Sequence, residues 1–119
     1  MTPVLNRMTP ADAARLRALP LPTIEAFGIA ELRGELIRVK TASENCYFIE
    51  ITDVEEGHAN IYRCDSRSER FRAGFIANLS VDRIFRVGWN LRIWTKEIPN
   101  AHTSIVTELA GIPLADIGF

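Results

Sequence analysis

The feature that most constrains the fold of this chain is a set of short runs in which apolar and polar residues alternate, divided by turn-forming residues. The clearest follows Gly88, where Trp89, Leu91 and Ile93 share one parity and Asn90, Arg92, Trp94 and Lys96 the other. Successive side chains of a strand point to opposite faces, so this run predicts a strand with one buried face and one free face. Cys46 to Thr52 repeats the pattern, with Tyr47, Ile49 and Ile51 on one face and Phe48 on the other. Asp53-Val54-Glu55-Glu56-Gly57 reads as a hairpin turn, and Ala59 to Asp65 as its partner strand. Thr103 to Leu109 adds a last strand after the turn at Pro99-Asn100-Ala101-His102.

Other segments carry different signals. From Ile29, Leu32, Gly34 and Leu36 alternate, and then Ile37 and Val39 take the opposite parity. Adjacent apolar residues soon after a glycine predict a bulge or bend in a long first strand. Phe71, Phe75 and Leu79 stand four residues apart, which predicts a helix across Ser66 to Asn78, weakened by Gly74. Near the start, Thr9 suits an N-cap, Pro10 the first helical position, and Asp12 the positive end of the helix dipole. Pro20 and Pro22 end that helix, because neither can donate the next hydrogen bond. About ten residues is too short for a helix to stand alone in water. This one must therefore cap the strands or dock on a partner.

The order is thus helix, three strands, helix, two strands, a mainly β chain. That order, with a long bent first strand and the stretch Phe85-Arg86-Val87-Gly88-Trp89-Asn90-Leu91-Arg92-Ile93 leading into the fourth, resembles the OB-fold, a five-stranded barrel. The resemblance is at fold level and covers residues 29–112. Residues 1–28 form an amino-terminal helix and proline-rich connector, and 113–119 a short tail. An SH3-like or other small barrel would use much the same strands. The tail, Pro113-Leu114-Ala115-Asp116-Ile117-Gly118-Phe119, is similar to the partner-docking tip of bacterial single-strand-binding proteins only in its final phenylalanine. The acidic run is missing, and Gly118 stands where proline would be. The tail is expected to fold back on the body or to remain disordered.

Composition limits the functions open to such a fold. With 119 residues, 47% hydrophobic and 24% charged, the chain can bury one globular core. No apolar run approaches the roughly 20 residues of a membrane span. The first residues lack the basic-then-apolar pattern of a signal peptide, so the expected location is the cytoplasm. Cys46 and Cys64 are too few for a disulfide scaffold and read as thiols on neighbouring strands. With only His58 and His102 to join them, at no ligand spacing, neither a metal nor a cofactor is expected. No phosphate-binding glycine loop and no nucleophile beside a base at a motif spacing is present, so the chain reads as a non-enzyme.

The net charge of −1 argues against coating nucleic acid by bulk electrostatics, but the charge is uneven. From Arg63 to Lys96, eight basic residues outnumber three acidic ones; in residues 1–60, nine acidic residues outnumber six basic ones. Arg92, Trp94 and Lys96 project from one face of the predicted fourth strand, with Phe48 or Tyr62 beside them if the neighbouring strands align. Single-strand binders pair a basic groove with aromatic rings on which bases stack. Arg63, Arg67, Arg70 and Arg72 would hold the backbone. In the competing structural reading, Trp94 packs beneath the amino-terminal helix and the arginines are a solvated rim. Two functions follow: a non-catalytic module binding single-stranded nucleic acid, or a protein-interaction or assembly subunit, possible partners being another protein or a second copy of the chain.

Overall fold

A computed structural model describes residues 5–32, 34–64 and 74–117. One helix, α1 (Pro10–Arg17), precedes eight strands: β1 (Ala26–Gly28), β2 (Glu35–Thr41), β3 (Cys46–Asp53), β4 (His58–Arg63), β5 (Gly74–Val81), β6 (Ile84–Arg86), β7 (Asn90–Trp94) and β8 (His102–Pro113). Six of them close into a ring in the order β2-β3-β4-β5-β7-β8, and every pairing is antiparallel. The mainly β expectation therefore holds, with six strands in the ring where the alternation alone suggested five. The long β8 completes closure by pairing β7 through its first residues and β2 through the rest.

Alternation explains the interior. Ile37 and Val39 of β2, Tyr47 and Ile49 of β3, Ala59 and Ile61 of β4, and Leu91 and Ile93 of β7 all point inward, into one buried cluster. The three-residue strands β1 and β6 pair with each other outside the ring and add Phe27 and Phe85 to that cluster, ring centroids 5.0 Å apart. Neither strand is visible in the sequence, being too short to show a period.

A second cluster lies on the outer face of β2, β3, β4 and the end of β8. Leu36, Cys46, Phe48, Tyr62 and Ile112 meet Leu5 and Met8, Ala13 and Leu16 of α1, and Ile117. The predicted cap forms: the Thr9 hydroxyl accepts the Asp12 amide at 3.1 Å, and the Asp12 carboxylate accepts the Thr9 amide at 3.1 Å. At the other end of α1, the buried Arg38 of β2 donates from Nη1 to the carbonyls of Leu16 (3.0 Å) and Leu19 (2.7 Å) and from Nη2 to Glu108 (3.2 Å). A cation at a helix C-terminus meets the negative end of its dipole, so α1 is held at both ends. The described part of the tail, as far as Ile117, folds back as well: Ile117 is buried, and its carbonyl accepts Arg15 Nη2 at 2.7 Å.

Two sequence expectations are corrected. Leu36 and Ile37 are neighbours because both faces of β2 are covered, one by the interior and one by α1, and no bulge lies between them. The register shift of β2 comes later, between Lys40 and Thr41. The helix expected across Ser66 to Asn78 is replaced, from Gly74 onward, by β5; its earlier part, with Phe71, lies outside the described residues. Opposite β4, the two steps from Ala59 to Ile61 match three steps from Ile76 to Leu79 on β5. Asn78 takes up the extra residue at φ 55°, a left-handed conformation that asparagine tolerates, and its amide donates to buried Asn60 Oδ1 at 3.1 Å. This bulge interrupts the alternation and sets the inward residues Ile76 and Leu79 three apart, a spacing that no regular strand shows.

Candidate functional site

The wall made by β4, β5 and β7 is built differently from the one under α1. The registers set His58 opposite Ser80 and Ser80 opposite Trp94, which makes one row across three strands. Trp94 is half-buried in that row. Arg92, two residues earlier and on the same face, is exposed and lays its guanidinium over the Trp94 ring, 4.7 Å from the centroid. Such a stack holds a planar cation against one ring without burying its charge.

After Trp94 the chain bends through Thr95 to Pro99, with the Thr95 hydroxyl accepting the Ile98 amide at 3.0 Å. The bend brings Lys96 and Glu97 beside the row. Together with Ala77, Asn78 and Ser80 these residues line an open cleft of about 540 Å³. The β5 bulge shapes its floor, because Asn78 is lifted out of the regular pleat. The Arg92 amide donates to Asp82 Oδ2 at 2.9 Å, which ties the start of the strip to the β5–β6 turn.

The sequence-predicted residues divide into three groups. Arg92 and Trp94 share the outer face of β7 as expected, Lys96 lies past the end of that strand and meets them across the bend, and Trp94 is not under α1. Phe48 and Tyr62 do not join them. Both point outward as their parity requires, but α1 covers that part of the outer face, and they are 0% and 7% exposed. Burial holds the Tyr62 phenol above its ordinary pKa of 10, with Cys64 and Asp12 adding to the effect. Arg63 has the parity of Tyr47 and points inward, buried, with its guanidinium 5.4 Å from the Tyr47 ring centroid. It is thus withdrawn from the outer face. Arg67, Arg70 and Arg72 lie outside the described residues.

One aromatic residue was placed on the wrong face by its parity. Trp89 shares the parity of Leu91 and Ile93, yet β7 begins only at Asn90, and Trp89 sits in the preceding turn, 55% exposed. Arg86 stacks over it at 4.8 Å, and Ile105, 48% exposed, lies opposite the adjoining Asn90. The glycine before it, Gly88 at φ 93°, was the available signal that the alternation had not yet begun.

Among the described residues no group of three or more His, Cys, Asp or Glu side chains gathers to hold a metal ion, and no helix is long and apolar enough to cross a membrane. Comparison with protein-family models, with curated proteins and with solved structures returned no match.

Proposed function

We propose that this chain is a non-catalytic, OB-like module that binds single-stranded nucleic acid along the outer face of β7. The observation that carries this reading is the Arg92–Trp94 stack, set in a row with Ser80 and His58 beside the Lys96 cleft. A base stacks on the accessible part of Trp94, Arg92 and Lys96 meet the flanking phosphates, and Asn78 and Ser80 offer hydrogen-bonding groups to base edges. Stacking is worth about 1–3 kcal/mol per base and tolerates any sequence, since every base has a π-face. Two phosphate contacts on a single strand give a salt slope of about −1.4, so the affinity is modest and falls with salt.

The test is fluorescence anisotropy of a labelled oligothymidylate titrated with the protein at several salt concentrations. Saturable binding that weakens with salt is the expected result. A flat titration at low salt and high protein concentration rejects the reading.

A second reading, a protein-interaction or assembly module, is favoured by a separate observation. Trp89 and Ile105 are both about half exposed and stand on adjoining segments, since Ile105 pairs with Asn90 and the Val106 amide donates to the Trp89 carbonyl at 2.9 Å. An aromatic and an aliphatic side chain with a stacked arginine are the residue types that anchor protein contacts. A flat nucleic-acid titration, with self-association or capture of a partner lost in Trp89→Ala, would put this reading first.

A further inference from the structure

Cys46, the first residue of β3, and Cys64, the residue just past the end of β4, stand across from each other. The register places Tyr47 opposite Arg63, so the next pair along is Cys46 and Cys64, and the Cys64 amide donates to the Cys46 carbonyl at 3.1 Å. Opposed residues at such a hydrogen-bonded position have Cα atoms about 5.5 Å apart. A disulfide spans roughly 4.4–6.8 Å between Cα atoms, so the spacing of such a pair lies within the range that a bridge needs. Both residues are thiols in the structure, and the Cys64 side chain hydrogen-bonds the Cys46 sulfur. That bond lowers the Cys46 pKa below its ordinary 9.0; burial opposes it, and Arg17, Lys40 and Arg38 act in the same direction as the bond. Cys46 is fully buried in the cluster beneath α1, whereas Cys64 is half-buried.

We propose that Cys46 and Cys64 form a reversible oxidative modification site, which closes an intramolecular disulfide when it meets a small-molecule disulfide of the glutathione class. The difference in exposure orders the steps. The Cys64 thiolate attacks one sulfur of the small disulfide and expels one small thiolate, which takes up the Cys64 proton. The Cys46 thiolate then attacks Cys64 Sγ, and the second small thiol leaves with the Cys46 proton. The pair gives up two electrons and two protons, and one small disulfide becomes two thiols. The lowered pKa of Cys46 favours the second step, in which its thiolate is the attacking group; the first step falls to Cys64 through its exposure. The bridge would pin the end of the β3–β4 hairpin at the point where the chain leaves β4.

The reduced protein, incubated in glutathione buffers of rising oxidised-to-reduced ratio and acid-quenched, is read by intact mass and by non-reducing peptide mapping. The expected product is a monomer lighter by two hydrogen atoms, with the Cys46 and Cys64 peptides joined and the change reversed by dithiothreitol. In Cys46→Ser, glutathione remains trapped on Cys64; in Cys64→Ser, the buried Cys46 takes up none. A persistent glutathione adduct on the wild-type protein, a disulfide-linked dimer, or unmodified thiols at the most oxidising ratio would each overturn the proposal. The wild-type mapping decides the matter whether or not either variant folds, and it does not depend on nucleic-acid binding.

Discussion

The two walls of the ring are made of similar strands but are used differently. The wall of β2, β3 and the Tyr62 end of β4 is covered on both faces: Ile37, Val39, Tyr47 and Ile49 fill the interior, while Leu36, Cys46, Phe48 and Tyr62 are roofed by α1 and the returning tail. The β5–β7 wall is buried on its inner face only. Its outer face carries Arg92, Trp94 and the cleft, with Trp89 exposed at the near end. An outward-facing aromatic residue is therefore structural on one wall and available on the other. Strand parity determines which face a side chain takes, and the position of a short helix elsewhere in the chain determines whether that face meets water.

The contrast is most open to attack through packing. Phe48→Ala should cost about 3–5 kcal/mol, as truncation of a fully buried aromatic does, read from the midpoint of urea unfolding. Trp94→Ala should cost clearly less in the same experiment, since part of the ring stays in contact with water. Equal costs would mean that the walls do not differ. The arginines offer the next comparison. Arg38→Ala removes a buried guanidinium from two helix-end carbonyls and Glu108 and should cost about 3 kcal/mol. Arg92→Ala should stay within about 0.5 kcal/mol, as a surface substitution does.

Binding sharpens the comparison at a smaller scale. Trp94→Ala should weaken oligothymidylate binding by about 5- to 150-fold, the equivalent of one lost stacking contact, without loss of fold. Tyr62→Phe on the covered wall should leave the affinity unchanged. Thr9→Ala, which opens the cap of the covering helix, should cost about 1 kcal/mol in thermal or chemical unfolding.

The smallest effect is a pH dependence of that same cap. The Thr9 amide and then the Thr9 hydroxyl hydrogen-bond the Asp12 carboxylate and hold its pKa below the ordinary 3.8. The folded form therefore favours the ionised carboxylate. Its contribution is present in full above about pH 4 and is lost as the pH falls through the depressed value. Helical circular dichroism should decline over that acid range in the wild-type protein, and more weakly in Asp12→Asn.

Much of this architecture was legible in the sequence, for reasons particular residues show. The run from Asn90 to Trp94 alternates because β7 buries one face and turns the other toward water. The capping box at Thr9 and Asp12 was readable because it is wholly local. β5 was not, since the bulge at Asn78 sets its inward residues Ile76 and Leu79 three apart, so the strand no longer keeps a period of two. Leu36-Ile37 misled for the opposite reason, because a strand covered on both faces has no alternation to show. Phe48 and Tyr62 were given the correct face and the wrong environment, since nothing in β3 or β4 records that α1 crosses over them.

The central claim is that the uncovered wall is the binding wall. Its most direct test is backbone amide chemical-shift mapping by NMR, with unlabelled oligothymidylate titrated into isotope-labelled protein at low salt. The account predicts shifts concentrated at His58, Ala77–Ser80 and Arg92–Glu97, with Leu36, Phe48, Tyr62 and α1 unmoved. Shifts centred on α1 and the outer face of β2–β4, with the Trp94 row silent, would contradict it.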